Sequence, residues 1–301
     1  MLQISMQNKR IFVGMASLLF LVLVFFIVHY NEKKVVDVTP QAHIPVLLDP
    51  NNLAKSYTTD TATASATPKP LTFAEMNDQF GPCVNIPTLM YHHVEDMNKA
   101  KNEGHANLSV APDVFRNHLT YLRSKGYVTT FPNSVIDFFD KGVKPNPKSV
   151  LLTFDDGYDD FYTNVFPLLK EFGVKAVLFL PTGLTNNPGY LTWNQVTEMH
   201  ASGLVFVANH TWSHKSMDSG TTAALEEIKK ADQQLFDHAM NNPKVFAFPY
   251  GTTSGYSVSD LSKLGYQAGF TTKHGRVLCK KQRLILPRIR IGNAPLASFG
   301  L

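Results

Sequence analysis

Two pairs of residues in this 301-residue chain have types and spacing suited to hydrolytic chemistry. The first is Asp155-Asp156, which follows the apolar run Ser149 to Phe154 and precedes Gly157. Adjacent carboxylates at the mouth of an apolar strand are costly to hold together unless a cation or a shared proton lies beside them. A helix start also favours Asp through capping and the dipole, and that reading accounts for the nearby Asp159 and Asp160. The second pair is His210 and His214, spaced i, i+4 directly after the apolar run Leu204 to Ala208. On one turn, two imidazoles so spaced can face one divalent ion. A histidine pair on a loop is more often merely solvated, and it is the shared position after a buried strand that makes both pairs candidates.

Two histidines and one carboxylate leave an open position for water, the arrangement used in metal-assisted hydrolysis. Thr211, Trp212 and Ser213 fill the gap between the histidines, so a base must come from elsewhere. With Asp156 as ligand, Asp155 is left to take a proton. Two more segments offer complementary groups. Pro249-Tyr250-Gly251 follows the run Val245 to Phe248 and is either an ordinary Pro-Gly turn or one that presents a backbone N–H to an oxyanion. Leu89-Met90-Tyr91 ends in His92-His93, one of which can act as a general acid toward a leaving amine.

Seven short apolar runs position these groups: Ile86 to Tyr91, Ser149 to Phe154, Lys175 to Leu180, Leu204 to Ala208, Val245 to Phe248, Gln267 to Thr271 and Leu284 to Ile291. Helical patterns fall between them at Pro112 to Lys125, Phe161 to Phe172, Thr192 to Ala201, Thr222 to Met240 and Val258 to Leu264. Strands that are continuously apolar rather than alternating are buried on both faces, as in a parallel sheet with helical crossovers. An α/β barrel or a doubly wound sheet follows, with chemistry at the C-terminal strand ends.

Thr153-Phe-Asp-Asp-Gly157, His210-Thr-Trp-Ser-His214 and Phe248-Pro-Tyr-Gly251, in that order and each after a strand, resemble the first three motifs of the polysaccharide deacetylases, the NodB-homology domain of carbohydrate esterase family four. The resemblance covers roughly residues 83 to 301. It implies a distorted (β/α)7 barrel and metal-dependent removal of N-acetyl groups from an amino-sugar polymer. It further implies Asp155 as base, Asp156, His210 and His214 as ligands of a divalent ion (zinc first, with nickel, cobalt or iron as alternatives), and Tyr250 as donor of an oxyanion-holding N–H. Many members carry Arg two residues before the Pro of the Pro-Tyr-Gly turn, where this chain has Ala247, and a C-terminal Leu-x-His, where it has only His274. Both departures resemble the branch with permuted motif order, as in deacetylases of poly-β-1,6-N-acetylglucosamine, in which the acid sits on the first strand. His92 is then the expected acid, with His93 as fallback, and Arg288 the expected substitute for the charge absent at 247. Peptidoglycan is the alternative substrate. A non-catalytic glycan-binding module is the alternative of a different class. Trp212, between the two ligands, is a candidate for stacking on a sugar ring or for packing.

Composition narrows the setting. The chain is 44% hydrophobic and 17% charged, which excludes wholesale disorder. Its net charge of +4 is mild and unclustered, so no nucleic-acid partner is expected. Residues 11–28 carry no charge and meet the minimum for a membrane-spanning helix. No small-x-small cleavage site follows, so residues 1–30 are expected to be a cytoplasmic tip and a retained single-pass signal-anchor, with the rest outside the cytoplasm. Residues 31–82, with the Thr-, Ala-, Ser- and Pro-rich centre SYTTDTATASATPKP, read as a flexible linker, and residues 83–301 as the catalytic domain. Two cysteines, Cys83 and Cys279, exclude a thiolate zinc site, and an extracytoplasmic location permits them to pair.

Overall fold

The computed structural model describes residues 69–301. Twelve strands and eight α-helices are assigned among them. In chain order they are α1 (Phe73–Phe80), β1 (Cys83–Asn85), β2 (Thr88–Tyr91), β3 (His93–Val94), α2 (Met97–Asn102), β4 (Ser109–Val110), α3 (Pro112–Ser124), β5 (Val128–Thr129), α4 (Asn133–Lys141), β6 (Ser149–Phe154), α5 (Phe166–Phe172), β7 (Ala176–Leu180), α6 (Trp193–Ala201), β8 (Val205–Asn209), α7 (Thr222–Asp237), β9 (Val245–Ala247), α8 (Gly255–Lys263), β10 (Ala268–His274), β11 (Val277–Cys279) and β12 (Leu286–Arg290).

Strands β2, β12, β10, β9, β8, β7 and β6 pair in that order, all parallel, and β6 pairs again with β2. The sheet therefore closes into a seven-stranded barrel, which decides between the two architectures expected from the apolar runs. The barrel is irregular: β8 and β9 meet through one residue pair, Asn209 and Phe246, and the register of β10 on β12 shifts between Phe270 and His274.

Side chains alternate between two buried environments, which explains why the strands lack polar alternation. Along β6, Val150, Leu152 and Phe154 join the layer packed under the helices, whereas Leu151 joins the barrel interior. Along β7, Ala176, Leu178 and Leu180 face outward to the helices, and Val177 and Phe179 face inward. The same parity sends Thr153 and Asp155 of the β6 end, and His210 beyond Ala208 of β8, toward the barrel axis. Val135, Ile136 and Phe139 of α4 join the interior cluster at the N-terminal end.

Several segments differ from expectation. The stretch read as linker to residue 82 contains α1, started by a Thr72–Glu75 capping box. The helix expected over Phe161 to Phe172 is π-helical at Phe161–Val165 before α5 begins. The α4 segment was not expected as a helix at all. Cys83 and Cys279 are joined by a disulfide across the antiparallel pair β1–β11. The span at 11–28 and the linker up to residue 68 lie outside the described residues. No helix among the described residues is long and apolar enough to cross a membrane.

Candidate active site and metal centre

Strand β6 delivers Asp155 to the barrel axis, and the chain then turns through two residues in the left-handed region, Asp156 (φ 74°) and Gly157 (φ 70°). A side chain at 157 would meet Leu180 Cδ1 at 2.7 Å, so the turn requires glycine for space as well as for φ. The turn separates the two carboxylates. Asp155, 3% exposed, receives two parallel hydrogen bonds from Arg288, Nη1 to Oδ1 and Nη2 to Oδ2, each 2.7 Å. Arg288 is fully buried, donates through Nε to the Thr271 carbonyl at 2.9 Å, and reaches Thr153 Oγ1 through Nη1 at 3.2 Å. Burial pushes the Asp155 carboxyl up, but the Arg288 charge and hydrogen bonds outweigh it and hold it below the usual carboxylate range.

Asp156 faces a different set. Its Oδ1 lies 3.3 Å from His210 Nε2 and 3.1 Å from His214 Nε2. The three donor atoms form one group with metal-ligand composition. Asp156 Oδ1 and His210 Nε2 are buried without a hydrogen-bond partner. Two orphaned buried atoms this close are costly unless a cation sits between them. The His210 ring is oriented to ligate: its Nδ1 lies 2.8 Å from the Ala247 carbonyl, so Nδ1–H donates and the Nε2 lone pair is left free. Asp156, His210 and His214 therefore fit a divalent ion.

The loop after β8 holds its shape through Asn209. That side chain is fully buried, accepts from Thr211 N–H at 2.7 Å, and donates to the Ile228 carbonyl (3.1 Å) and Tyr266 Oη (2.7 Å). Thr211 (φ 68°) and His214 (φ 59°) both take left-handed backbone, so the i, i+4 pair lies on a strained loop rather than the helical turn expected.

His92 and His93 part company. Tyr91 pairs with Phe154, and Asp155 N–H donates to the Tyr91 carbonyl, so His92 lies beside Asp155 across two parallel strands. Burial pulls the His92 imidazole below its usual value, against the opposing pull of Asp155 and Asp156. His93 faces the other way, with Nδ1 2.6 Å from Asp160 Oδ2 and its ring stacked on Tyr158 (3.7 Å between centroids) and His105 (4.5 Å). Asp160, expected as a helix-start carboxylate, makes no capping bond and instead holds His93 and the Val94 N–H.

Tyr250 takes left-handed backbone (φ 60°) in the turn after β9, and its exposed ring meets His214 edge-on at 4.6 Å. Trp212 packs: Lys230 Nζ lies 3.1 Å over its ring, and a side chain at Gly183 would meet the indole at 2.4 Å. Its sugar-stacking role is thus not what the geometry provides. Tyr158 and Tyr190, stacked at 5.4 Å, adjoin Asp156 and were not anticipated. Their signal was weak, because Tyr158 follows a recognisable motif but Tyr190 lies in a loop without periodicity.

The chain matches the Polysaccharide deacetylase family over residues 142–269, a span that holds Asp155, Asp156, His210, His214 and Tyr250. It is 30% identical over 201 residues to a Staphylococcus epidermidis protein named poly-beta-1,6-N-acetyl-D-glucosamine N-deacetylase, covering 62% of this chain and 69% of that one. An Escherichia coli (strain K12) protein of the same name is 32% identical over 255 residues, covering 69% of this chain, which spans only 36% of that relative. Among solved structures, the Streptococcus pyogenes deacetylase PplD in complex with acetate is 31% identical, with a TM-score of 0.63 over 69% of this chain and 92% of that one. Together with a closed seven-stranded barrel that gathers the motif residues at one end, these likenesses make the chain a member of the polysaccharide deacetylase family and a hydrolytic N-deacetylase.

Proposed function

We propose that the chain is a metal-dependent N-deacetylase of poly-β-1,6-N-acetylglucosamine, anchored by residues 11–28 in the cell membrane with its catalytic domain outside the cytoplasm. The observation that carries the reading is the paired grip of Arg288 on Asp155. It brings to the base, from the last barrel strand, the charge that Ala247 cannot supply, which is the pattern of the branch the first strand also resembles. Two curated relatives carry that substrate in their names. The Cys83–Cys279 disulfide supports an oxidising, extracytoplasmic setting.

A divalent ion held by Asp156, His210 and His214, zinc before nickel, cobalt or iron, would supply Lewis-acid polarisation and acidify water at neutral pH. Asp155, kept ionised by Arg288, takes the proton of the attacking water. Because both its oxygens are gripped, the carboxylate approaches from one fixed direction. The Tyr250 N–H meets the negative charge that develops on the acetamide oxygen. His92 gives a proton to the departing amine as the C–N bond breaks, leaving acetate and a free amino sugar. Burial lowers the affinity of His92 for its proton, and the neighbouring charges of Asp155 and Asp156 oppose that loss.

Acetate release by the zinc-loaded full-length chain, on poly-β-1,6-N-acetylglucosamine and on peptidoglycan with a chelated blank, tests the reading. Chelator-sensitive release from the first polymer is expected. Release from peptidoglycan alone would replace the substrate, and release from neither with ion bound would point to another acetylated glycan. Asp155→Asn should abolish turnover and keep the ion. Near-normal activity in that variant would remove Asp155 from its role.

A further inference from the structure

We propose a second divalent-cation site, formed by His93, Glu95, His105 and Asp160 on the outer side of the β2 end. His93 Nδ1, Glu95 and His105 Nε2 present donor atoms that lie within 4.8 Å of one another. His93 Nδ1 is 3.7 Å from Glu95 Oε1 and 2.6 Å from Asp160 Oδ2, and His105 Nε2 is 2.6 Å from Glu95 Oε1. Two imidazoles and the Glu95 carboxylate thus converge, with Asp160 bonded to His93 beside them, the donor mix that zinc and related ions take.

The electrostatics call for positive charge. Glu95 is 3% and Asp160 5% exposed, and two buried carboxylates so near each other carry a large desolvation cost unless cations compensate them. The lysine at hand, Lys99, reaches Glu95 Oε2 at 3.2 Å but is itself half-exposed, and that oxygen is buried without a well-formed hydrogen bond. Both 2.6 Å contacts are hydrogen bonds, each holding a proton between an imidazole nitrogen and a carboxylate. A divalent ion would take the place of the two bridging protons, each imidazole keeping its N–H on its other ring nitrogen, with His93 Nδ1, His105 Nε2 and Glu95 as ligands.

The site is separate from Asp156, His210 and His214, and its occupancy does not depend on the deacetylase reading. Its place in the fold gives it consequence: His93 follows His92 directly, and Tyr158, stacked on His93, adjoins Asp156. An ion there would pin the strand end that carries His92.

The test is metal content of the full-length chain after zinc loading and dialysis, by elemental analysis. Wild type should hold two equivalents. His105→Ala, on a partly exposed loop, should hold one, as should His214→Ala, and the double variant none. Glu95→Gln should behave as His105→Ala does, and circular dichroism with the retained equivalent shows that each variant is folded. One equivalent in wild type, lost in His214→Ala and kept in His105→Ala, would overturn the proposal and leave the cluster a proton-sharing network.

Discussion

The two histidine–carboxylate clusters of this barrel contain the same chemical groups but differ in what lies between them. At Asp156, His210 and His214 the N···O separations are 3.1 and 3.3 Å, and Asp156 Oδ1 and His210 Nε2 have no hydrogen-bond partner. At His93, Glu95, His105 and Asp160 two separations are 2.6 Å, and protons bridge them. The first cluster is held open by the backbone, through left-handed residues at 156, 211 and 214, and by the Ala247 carbonyl that orients His210. The second takes His93 from β3, Glu95 and His105 from the segment between β3 and β4, and Asp160 from the start of the π-helical turn after β6, and none of these four residues takes left-handed backbone. Preorganisation, more than ligand identity, distinguishes a site poised for an ion from one that must exchange protons to take it.

The largest effect that sharpens this contrast is loss of a ligand. His214→Ala should lose one metal equivalent and cut deacetylation on the order of a thousandfold, since the ion's charge stabilisation is several kcal/mol. His105→Ala should keep activity within roughly tenfold, its role being to support and not to touch substrate. Equal losses in turnover from the two variants would erase the distinction. His92→Gln comes next: general acid catalysis typically contributes about a hundredfold or more. The loss should appear on the acetamide substrate and largely vanish on nitrophenyl acetate, whose leaving group needs no proton. A similar loss on both substrates would mean that His92 positions other groups and does not donate the proton.

The loss expected for Arg288→Lys lies at the lower edge of that range, on the order of a hundredfold in kcat with metal content unchanged, because an ammonium cannot make two parallel bonds and the base loses its fixed orientation. Such a variant also probes what was hardest to read. Asp155, Asp156, His210 and His214 were legible because each pair follows an apolar run buried on both faces, so strand ends and chemistry coincide in the linear sequence. Arg288 was legible only through the missing charge at Ala247, since nothing local marks it; it reaches Asp155 across the barrel from 133 residues away. The family match, confined to residues 142–269, likewise stops short of both His92 and Arg288.

What was illegible shares a physical cause. Asp160 lies at the start of a helical segment and carries the residue type that caps helices, yet its carboxylate turns to His93, 67 residues earlier, and to the Val94 N–H. Tertiary partners prevail over the local one, and only the fold reveals them. Helix α4 has no side-chain capping bond to mark its start, and it is held by three apolar side chains, Val135, Ile136 and Phe139, that join the barrel interior. His105 sits in a turn with no periodic pattern, so its proximity to Glu95 follows from the pairing of β3 with β4 and not from spacing.

The smallest expected effect concerns the residue that keeps the first cluster open. Asn209 touches none of the ligand atoms; its carbonyl oxygen fixes the Thr211 N–H, and its amide is anchored on Ile228 and Tyr266. Asn209→Ala leaves the Thr211 N–H buried and unpaired, at a cost of about 1–3 kcal/mol. The freed loop can then relax from its left-handed residues, and His214 drifts from His210. Zinc affinity, measured by competition with a chromophoric chelator, should fall about tenfold, the lower range for loss of an outer support. Asn209→Asp should not recover it, because a carboxylate there meets the Ile228 carbonyl and Asp232 Oδ1, which the amide nitrogen now faces at 3.1 and 3.2 Å. If Asn209→Ala lowered only the melting temperature and left zinc affinity intact, the opening of the cluster would have to be assigned to the strained backbone alone.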